Sequence, residues 1–308
     1  MGKTATREAY GKMLAELIVE NPNIIVLDAD LTKSTKTVDA KNACPERHFN
    51  MGIAEGNMLT TAAGIATSGK VVFASSFSIF ATGRAFEQIR NSICYPKLNV
   101  KICGTHAGIT VGEDGASHQA LEDIAIMRAI PNMVVIQPCD GKETAEVIKF
   151  ASEYVGPVYV RLGRSAVEDV FDASYTFTLG KGKVLRQGKD IALIATGMMV
   201  QESLEAAKIL ETQGIEVTVV NMPSIKPIDE DLIVELAKNH RVIYTLEEHN
   251  IIGGLGSAVC EVTSKLCPVI VERIGVEDTF GESGKPQELL DKYGLSATRI
   301  VERIKKTM

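Results

Sequence analysis

The stretch His48-Phe49-Asn50-Met51-Gly52-Ile53-Ala54-Glu55-Gly56-Asn57-Met58-Leu59 decides how the chain is read. It runs on into Thr60-Thr61-Ala62-Ala63-Gly64-Ile65-Ala66, a helix of small residues, and then into a short apolar strand, Val71-Val72-Phe73-Ala74, followed by Ser75-Ser76-Phe77-Ser78-Ile79-Phe80. Before Arg84 closes it, the stretch carries only two formal charges, Glu55 and Lys70. A carboxylate isolated in such surroundings is hard to bury as an anion. Desolvation favours its neutral form, and each unit of pKa shift corresponds to ~1.4 kcal/mol. A carboxyl kept protonated near neutral pH can donate a proton or a hydrogen bond, which is a catalytic property. The plainer alternative is a first-turn acid that follows Asn50 and is favoured by the helix dipole. Glu55 taken by itself leaves both open.

Outward from this stretch, helices and continuous apolar strands alternate. An amphipathic helix carries Tyr10, Met13, Leu14, Leu17 and Ile18 at helical spacing, and a buried-type strand, Ile24-Ile25-Val26-Leu27, follows it. The pattern then predicts a helix over 54–67, strand 71–74, helix 81–93, strand 98–103, helix 119–129, strand 133–137, helix 141–154 and strand 157–161. Such alternation indicates an α/β fold, a doubly wound parallel sheet with both faces covered. Ligands then sit beyond the carboxyl ends of the strands, where Asp30, Ser75, Phe77 and His106 fall. Residues 165–188 are mixed and turn-rich, and a second, smaller α/β set follows from strand 190–195 to a last helix over 296–306. The expected organisation is a first domain over 1–170, a linker over 171–186 and a second domain over 187–308.

The composition excludes several functions. The chain has 308 residues, 45% of them hydrophobic and 23% charged, with a net charge of −6. That supports a sizeable core and gives no basic nucleic-acid footprint or reason to expect a membrane surface. No apolar run reaches the ~20 residues of a membrane span, and the N-terminus lacks the apolar core of a signal peptide. The six cysteines are scattered, with no C-x-x-C and no paired His/Cys spacing. They read as reduced, mostly buried residues of a cytoplasmic protein and not as a metal site.

The densest polar loop runs from Gly104 to Gln119 and contains His106, Asp114, His118 and four glycines. Glycines let backbone and ligand approach closely, and histidines both donate and accept near neutral pH. Arg161 and Arg164 follow a strand, and Arg7 lies on the first helix. A guanidinium matches a phosphate bidentately, although a structural ion pair is the commoner use of any one arginine. Gly253-Gly254-Leu255-Gly256 lacks the full dinucleotide or P-loop pattern and reads as a tight turn or interface contact.

Phe49 to Gly56, Phe77 to Phe80, and Gly112-Glu113-Asp114-Gly115 with His118-Gln119 occur together and in order. In this combination the chain resembles the C-terminal half of the transketolase family: a pyrimidine-binding domain followed by the transketolase C-terminal domain. The resemblance implies that Glu55 hydrogen-bonds N1′ of the aminopyrimidine of thiamine diphosphate and promotes proton removal from the thiazolium carbon. It implies that Phe77 and Phe80 pack around the pyrimidine and that Asp30 lies beside the cofactor. It places His106 and His118 near substrate oxygens, as catalytic and substrate-binding residues, and Asp114 at a sugar hydroxyl. Arg7, Ser34 and Arg164 match a sugar-phosphate clamp. The chain also departs from the family pattern. Gly83 stands where many members have a third aromatic, Ala54 and Gly56 flank Glu55 where Arg and His are common, and Ala116 and Ala120 replace prolines.

The Gly-Asp-Gly segment on which such enzymes hold the diphosphate and Mg²⁺ does not occur. The resemblance therefore implies a C-terminal subunit of a split transketolase, with no metal ligands of its own. An N-terminal subunit would carry the diphosphate and the Mg²⁺ or Ca²⁺, in an α2β2 assembly acting on sugar phosphates. Half of a 1-deoxyxylulose-5-phosphate synthase-like enzyme, a 2-oxoacid dehydrogenase β subunit and a non-catalytic scaffold paralogue are the alternatives.

Overall fold

The computed structural model describes residues 2–308. A short strand β1 (Lys3–Ala5) leads into α1 (Thr6–Glu20), β2 (Ile24–Asp28) and two short helices, α2 (Thr32–Thr35) and α3 (Val38–Ala43). Then come β3 (His48–Asn50), α4 (Glu55–Ala66), β4 (Val71–Phe77), β5 (Val100–Thr105), α5 (Asp123–Ala129), β6 (Val134–Ile136), α6 (Gly141–Glu153), β7 (Val158–Arg161) and β8 (Ala166–Glu168). The remainder comprises β9 (Lys183–Arg186), β10 (Ile191–Ala195), α7 (Met199–Glu211), β11 (Val217–Asn221), β12 (Ser224–Lys226), α8 (Glu230–Asn239), β13 (Val242–Asn250), α9 (Leu255–Leu266), β14 (Ile270–Val276), α10 (Pro286–Lys292) and α11 (Ala297–Thr307).

The first sheet has the order β12-β6-β7-β5-β4-β2-β3, and every pairing in it is parallel except that of β12 with β6. Its inner strands read as apolar runs because they face a core on both sides, whereas the edge strand β3 leaves Phe49 and Asn50 exposed. On β4, Val72 and Ala74 pack with Leu27, Met58, Leu59 and Ile102 on one face. Phe73, between them, packs with Tyr10, Leu14, Ile18 and Val160 on the other. The second sheet, β14-β13-β10-β11-β9, repeats the device: Ile191 and Leu193 face one core and Ala192 and Ile194 the opposite one. The sequence reading of an α/β fold, a doubly wound parallel sheet followed by a smaller α/β unit, holds.

Four local expectations are corrected. The helix predicted over 81–93 is two π-helical segments, Phe80–Arg84 and Gln88–Cys94. A π turn accommodates an extra residue; Gly83 is a weak helix former there, and Thr82 Oγ1 donates back to Ser78 O at 2.7 Å. The helix predicted from 119 begins at Asp123, because Ala120 is held by Ala107 and Gly108 across a bridge. Residues 183–186, expected within the linker, form β9 and pair with β11. Finally, β12 lies past residue 187 in the chain but joins the edge of the first sheet, Ser224 aligning with Ile136. Lys226 anchors it by donating Nζ to Arg128 O and Ile130 O at 2.8 and 2.6 Å.

Candidate active site

The register of the first sheet gathers the site. Asp28 at the end of β2 aligns with Asn50 of β3 and Ser75 of β4, and Phe77 of β4 aligns with Thr105 of β5. Asp30, Glu55, Phe77, His106 and Arg164 therefore all follow the carboxyl ends of neighbouring strands, where an α/β sheet binds ligands. Arg7 reaches the same edge from the first turn of α1.

Glu55 opens α4 and is 3% exposed. Ser76 Oγ donates to its Oε1 at 3.3 Å. The premise that this carboxylate stands alone is corrected: Arg84 Nη1 lies 3.3 Å from Oε1 and 3.2 Å from Oε2. The two charges lie far apart in sequence, and the π-helical backbone after β4 turns Arg84 back over the start of α4. Phe77 and Phe80 stack with ring centroids 5.8 Å apart and planes 15° from parallel. The result is an aromatic wall beside one buried carboxylate.

His106 stacks on Phe77 at 3.8 Å. His118 meets Phe77 and Phe80 edge-on at 6.1 and 5.2 Å, so the wall joins both histidines. Burial pushes the His106 imidazole down to about 3, and the charges of Arg7, Arg164 and His118 add to the shift. It is therefore neutral around pH 7. Its Nδ1 lies 2.9 Å from Thr105 Oγ1 and its Nε2 3.5 Å from Arg7 Nη1. Because a guanidinium only donates, the arrangement assigns the proton to Nδ1 and leaves Nε2 an acceptor.

Arg7 also donates to the Ser34 carbonyl at 2.8 Å, so the contact with Ser34 runs through its backbone. Burial holds the Arg7 guanidinium below its ordinary value, and the Arg164 charge acts in the same direction against Glu8. Its Nε is buried without a partner. Arg164 binds the Val111 carbonyl and Glu113. Two guanidiniums thus converge beside the two imidazoles, with the Arg7 Nε donor in hand, a setting that favours an anion. Asp114 is exposed at the end of the loop segment Ile109–Asp114. Asp30 is exposed on the β2 side and pairs with Asn50: the Asp30 amide donates to Asn50 Oδ1 at 3.1 Å, and Asn50 Nδ2 to Asp30 Oδ1 at 3.3 Å. Arg161, weighed above as a phosphate ligand, is instead buried against Asp123 at 2.7 Å.

The reading of single motifs missed what braces the loop. Glu248 of β13 accepts the Thr110 amide at 2.5 Å. Gly108, at φ +81°, passes so close that a Cβ there would lie 2.2 Å from the Glu248 carboxyl carbon. Gln119 donates to Ile109 O at 3.0 Å and Glu282 O at 2.9 Å, and Ser283 donates to Glu113 O at 2.6 Å. The second unit therefore clamps the loop from two sides. The clue in the sequence was the acidic pair Glu247-Glu248 ending a strand. Glu247 itself accepts the amides of Leu255 and Gly256 at 2.7 and 2.8 Å, and Arg128 donates to Gly253 O at 2.7 Å. The glycine-rich segment is thus a tight turn at the interface of the two units, as read. The cysteines are all free, with Cys94, Cys103 and Cys139 buried and the other three half-buried. No helix among the described residues is long and apolar enough to cross a membrane.

Comparison with known proteins identifies the family. Residues 2–169 match the family model described as the transketolase pyrimidine-binding domain, and residues 180–300 that of the transketolase C-terminal domain. A protein of Methanocaldococcus jannaschii, named as a transketolase C-terminal section, is 54% identical over 98% of this chain and 96% of its own length. The 6-deoxy-6-sulfo-D-fructose transketolase subunit SqwH of Clostridium sp. strain MSTE9 is 40% identical over 96% of this chain and 92% of that protein. A solved structure described as a split gene transketolase, inactive beta4 tetramer, superposes with a TM-score of 0.92 at 58% identity, covering 98% of this chain and 97% of the other. The chain thus belongs to the transketolase family, of which it carries the pyrimidine-binding and C-terminal domains.

Proposed function

We propose that the chain is the C-terminal subunit of a two-chain transketolase that moves a two-carbon ketol group from a ketose phosphate to an aldose phosphate. The observation that carries this reading is the buried Glu55 carboxylate beside the Phe77–Phe80 wall, on the same sheet edge as Arg7, His106, His118 and Arg164. A flat, apolar ring with a basic nitrogen fits that wall and carboxylate, so the residues suit the pyrimidine end of thiamine diphosphate. When bound, the cofactor supplies the carbon nucleophile and the electron sink for the transferred unit. Glu55 would hold the ring nitrogen and fix its protonation. Phe77 and Phe80 would exclude water from the ring face, and Asp30 would lie at the cofactor's edge. Neutral His106 would accept a substrate hydroxyl at Nε2, with His118 and Asp114 orienting the sugar. Arg7 and Arg164, with the Ser34 segment, would take the terminal phosphate.

The chain contains no Gly-Asp-Gly sequence. We therefore assign the diphosphate and its Mg²⁺ or Ca²⁺ to an N-terminal partner subunit, in an α2β2 assembly. The description of the similar beta4 tetramer as inactive agrees with a subunit that needs its partner. A cytoplasmic place in the pentose phosphate pathway suits sugar-phosphate substrates, and the name of the SqwH relative shows that a sulfonated sugar is handled by a similar chain. The test is turnover of xylulose 5-phosphate with ribose 5-phosphate by the chain with its N-terminal partner. Glu55→Gln is expected to lower it on the order of 10²-fold or more, since an amide cannot exchange the same proton. Full turnover by this chain alone would refute the split site, and turnover of pyruvate in place of the ketose would move the assignment to a synthase- or dehydrogenase-type relative. A Glu55→Gln complex of unchanged activity would favour a scaffold.

A further inference from the structure

Arg84 touches both groups that the functional reading gives to the pyrimidine. Its guanidinium carbon sits 4.1 Å from the centroid of the Phe80 ring, and its Nη1 reaches both oxygens of Glu55. Glu55 is 3% exposed and the Arg84 side chain 52%. A planar cation therefore covers one face of the aromatic wall and pairs with the buried carboxylate, while about half of its own surface stays in water. A planar ring with a basic nitrogen would use the same two surfaces. The residue is also free to leave. It follows Gly83 at the end of a π-helical segment, and its hydrogen bonds among the described contacts are those to Glu55 alone.

We propose that Arg84 is a displaceable placeholder: it occupies the pyrimidine half-site of the unloaded subunit and swings out to solvent when the cofactor ring takes Glu55 and Phe80. This rests on the functional reading above. It makes the affinity of the subunit for cofactor the outcome of a competition between an internal guanidinium and the ring nitrogen for one carboxylate. It also explains how a buried anion is kept satisfied in a chain waiting for its partner, since an unpaired buried charge is strongly destabilising.

Two measurements test it. Thiamine diphosphate with Mg²⁺ is titrated calorimetrically into the chain assembled with its N-terminal partner. Arg84→Ala is expected to bind about fivefold tighter than wild type, the scale of a half-exposed ion pair, with Arg84→Lys between the two. Unchanged or weaker binding by Arg84→Ala overturns the placeholder, the latter because Arg84 would then be a cofactor ligand. In parallel, the lone chain is melted at pH 7 as wild type, Arg84→Ala, Glu55→Gln and the double variant. Arg84→Ala is expected to lower Tm in the Glu55 background and to have little effect once Glu55 is Gln. Additive shifts mean that the pair does not form and also overturn the proposal. If the wild-type complex binds no thiamine diphosphate, the functional reading fails and takes the placeholder with it, while the Glu55–Arg84 coupling in the lone chain survives. Loss of that coupling with cofactor binding intact condemns the placeholder alone.

Discussion

At the scale of single residues, the site is a set of charges whose state is decided by burial. His106 shows this best. Stacked on Phe77 and facing Arg7, its imidazole is pushed down to about 3. It is expected to show no titration between pH 5 and 9 when its ring nitrogens are followed by NMR; a midpoint near the ordinary 6.5 would mean that the ring is solvated. The arginines belong to the same argument. A guanidinium–phosphate contact contributes roughly 1.5–3 kcal/mol. Arg7→Ala and Arg164→Ala in the assembled enzyme are therefore expected to raise KM for phosphorylated sugars by about ten- to a hundredfold with little change in kcat, the signature of lost uniform binding. Steady-state kinetics with the unphosphorylated sugars would show no such difference.

At the scale of elements, the loop from Gly104 to Gln119 matters more than any helix. Beyond Thr105, where β5 ends, it has no regular ladder and is braced by the second unit: Glu248 at Thr110, the Glu282 carbonyl at Gln119 and Ser283 at Glu113. Leaving the buried Thr110 amide without its acceptor costs about 1–3 kcal/mol locally. Glu248→Ala is expected to speed hydrogen exchange of the 108–112 amides by at least about tenfold and to lower kcat/KM, whereas Glu248→Gln keeps an acceptor and most of both. Equal protection in the alanine variant would show that the loop stands without the brace. The same loop explains why α5 starts late, since Ala120 is taken up by the bridge to Ala107 before a helix can begin.

At the scale of the whole molecule, the two units are joined through buried carboxylates. Glu143 of α6 accepts from Tyr175 at 2.6 Å and from Asn221 of β11 at 2.8 Å. Burial pushes Glu143 and Glu248 each up to about 7, against the hydrogen bonds they accept. A folded-state pKa above the unfolded one means that the native state holds the proton more tightly. The stability from these groups is complete below the unfolded value near 4.5 and is lost as pH rises through about 7. Tm is therefore expected to fall between pH 5 and 8, and Glu143→Gln with Glu248→Gln to flatten that slope. Buried Asp123 works in the opposite sense. Burial opposes its charge, but Arg161 and the Tyr159 hydroxyl hold its carboxyl below the usual range, so its contribution disappears only below about pH 4. A Tm profile flat from pH 5 to 8 in wild type would show that neither glutamate is linked to folding.

The sequence by itself determined the α/β class and the alternation of the main helices and strands, because periodicity and apolar runs are local properties of a chain. Ile24–Leu27, Val71–Ala74 and the small-residue helix after Glu55 were legible for that reason, as were the Phe77 and His106 positions that follow from strand ends, while Glu55 stood out as an isolated acid. Contacts between residues far apart in the chain were decided only by the tertiary structure. Arg84 lay in plain view at the end of the deciding stretch, yet nothing local says that a π-helical turn brings its guanidinium back onto Glu55. Ser224–Lys226 read as ordinary second-unit chain, and only pairing with β6 places it in the first sheet. Arg161 and Arg164 stand three positions apart on the sequence; burial against Asp123 occupies the one, and partial exposure leaves the other facing the site. Burial and long-range pairing are sums over the whole fold, and no window of sequence contains them.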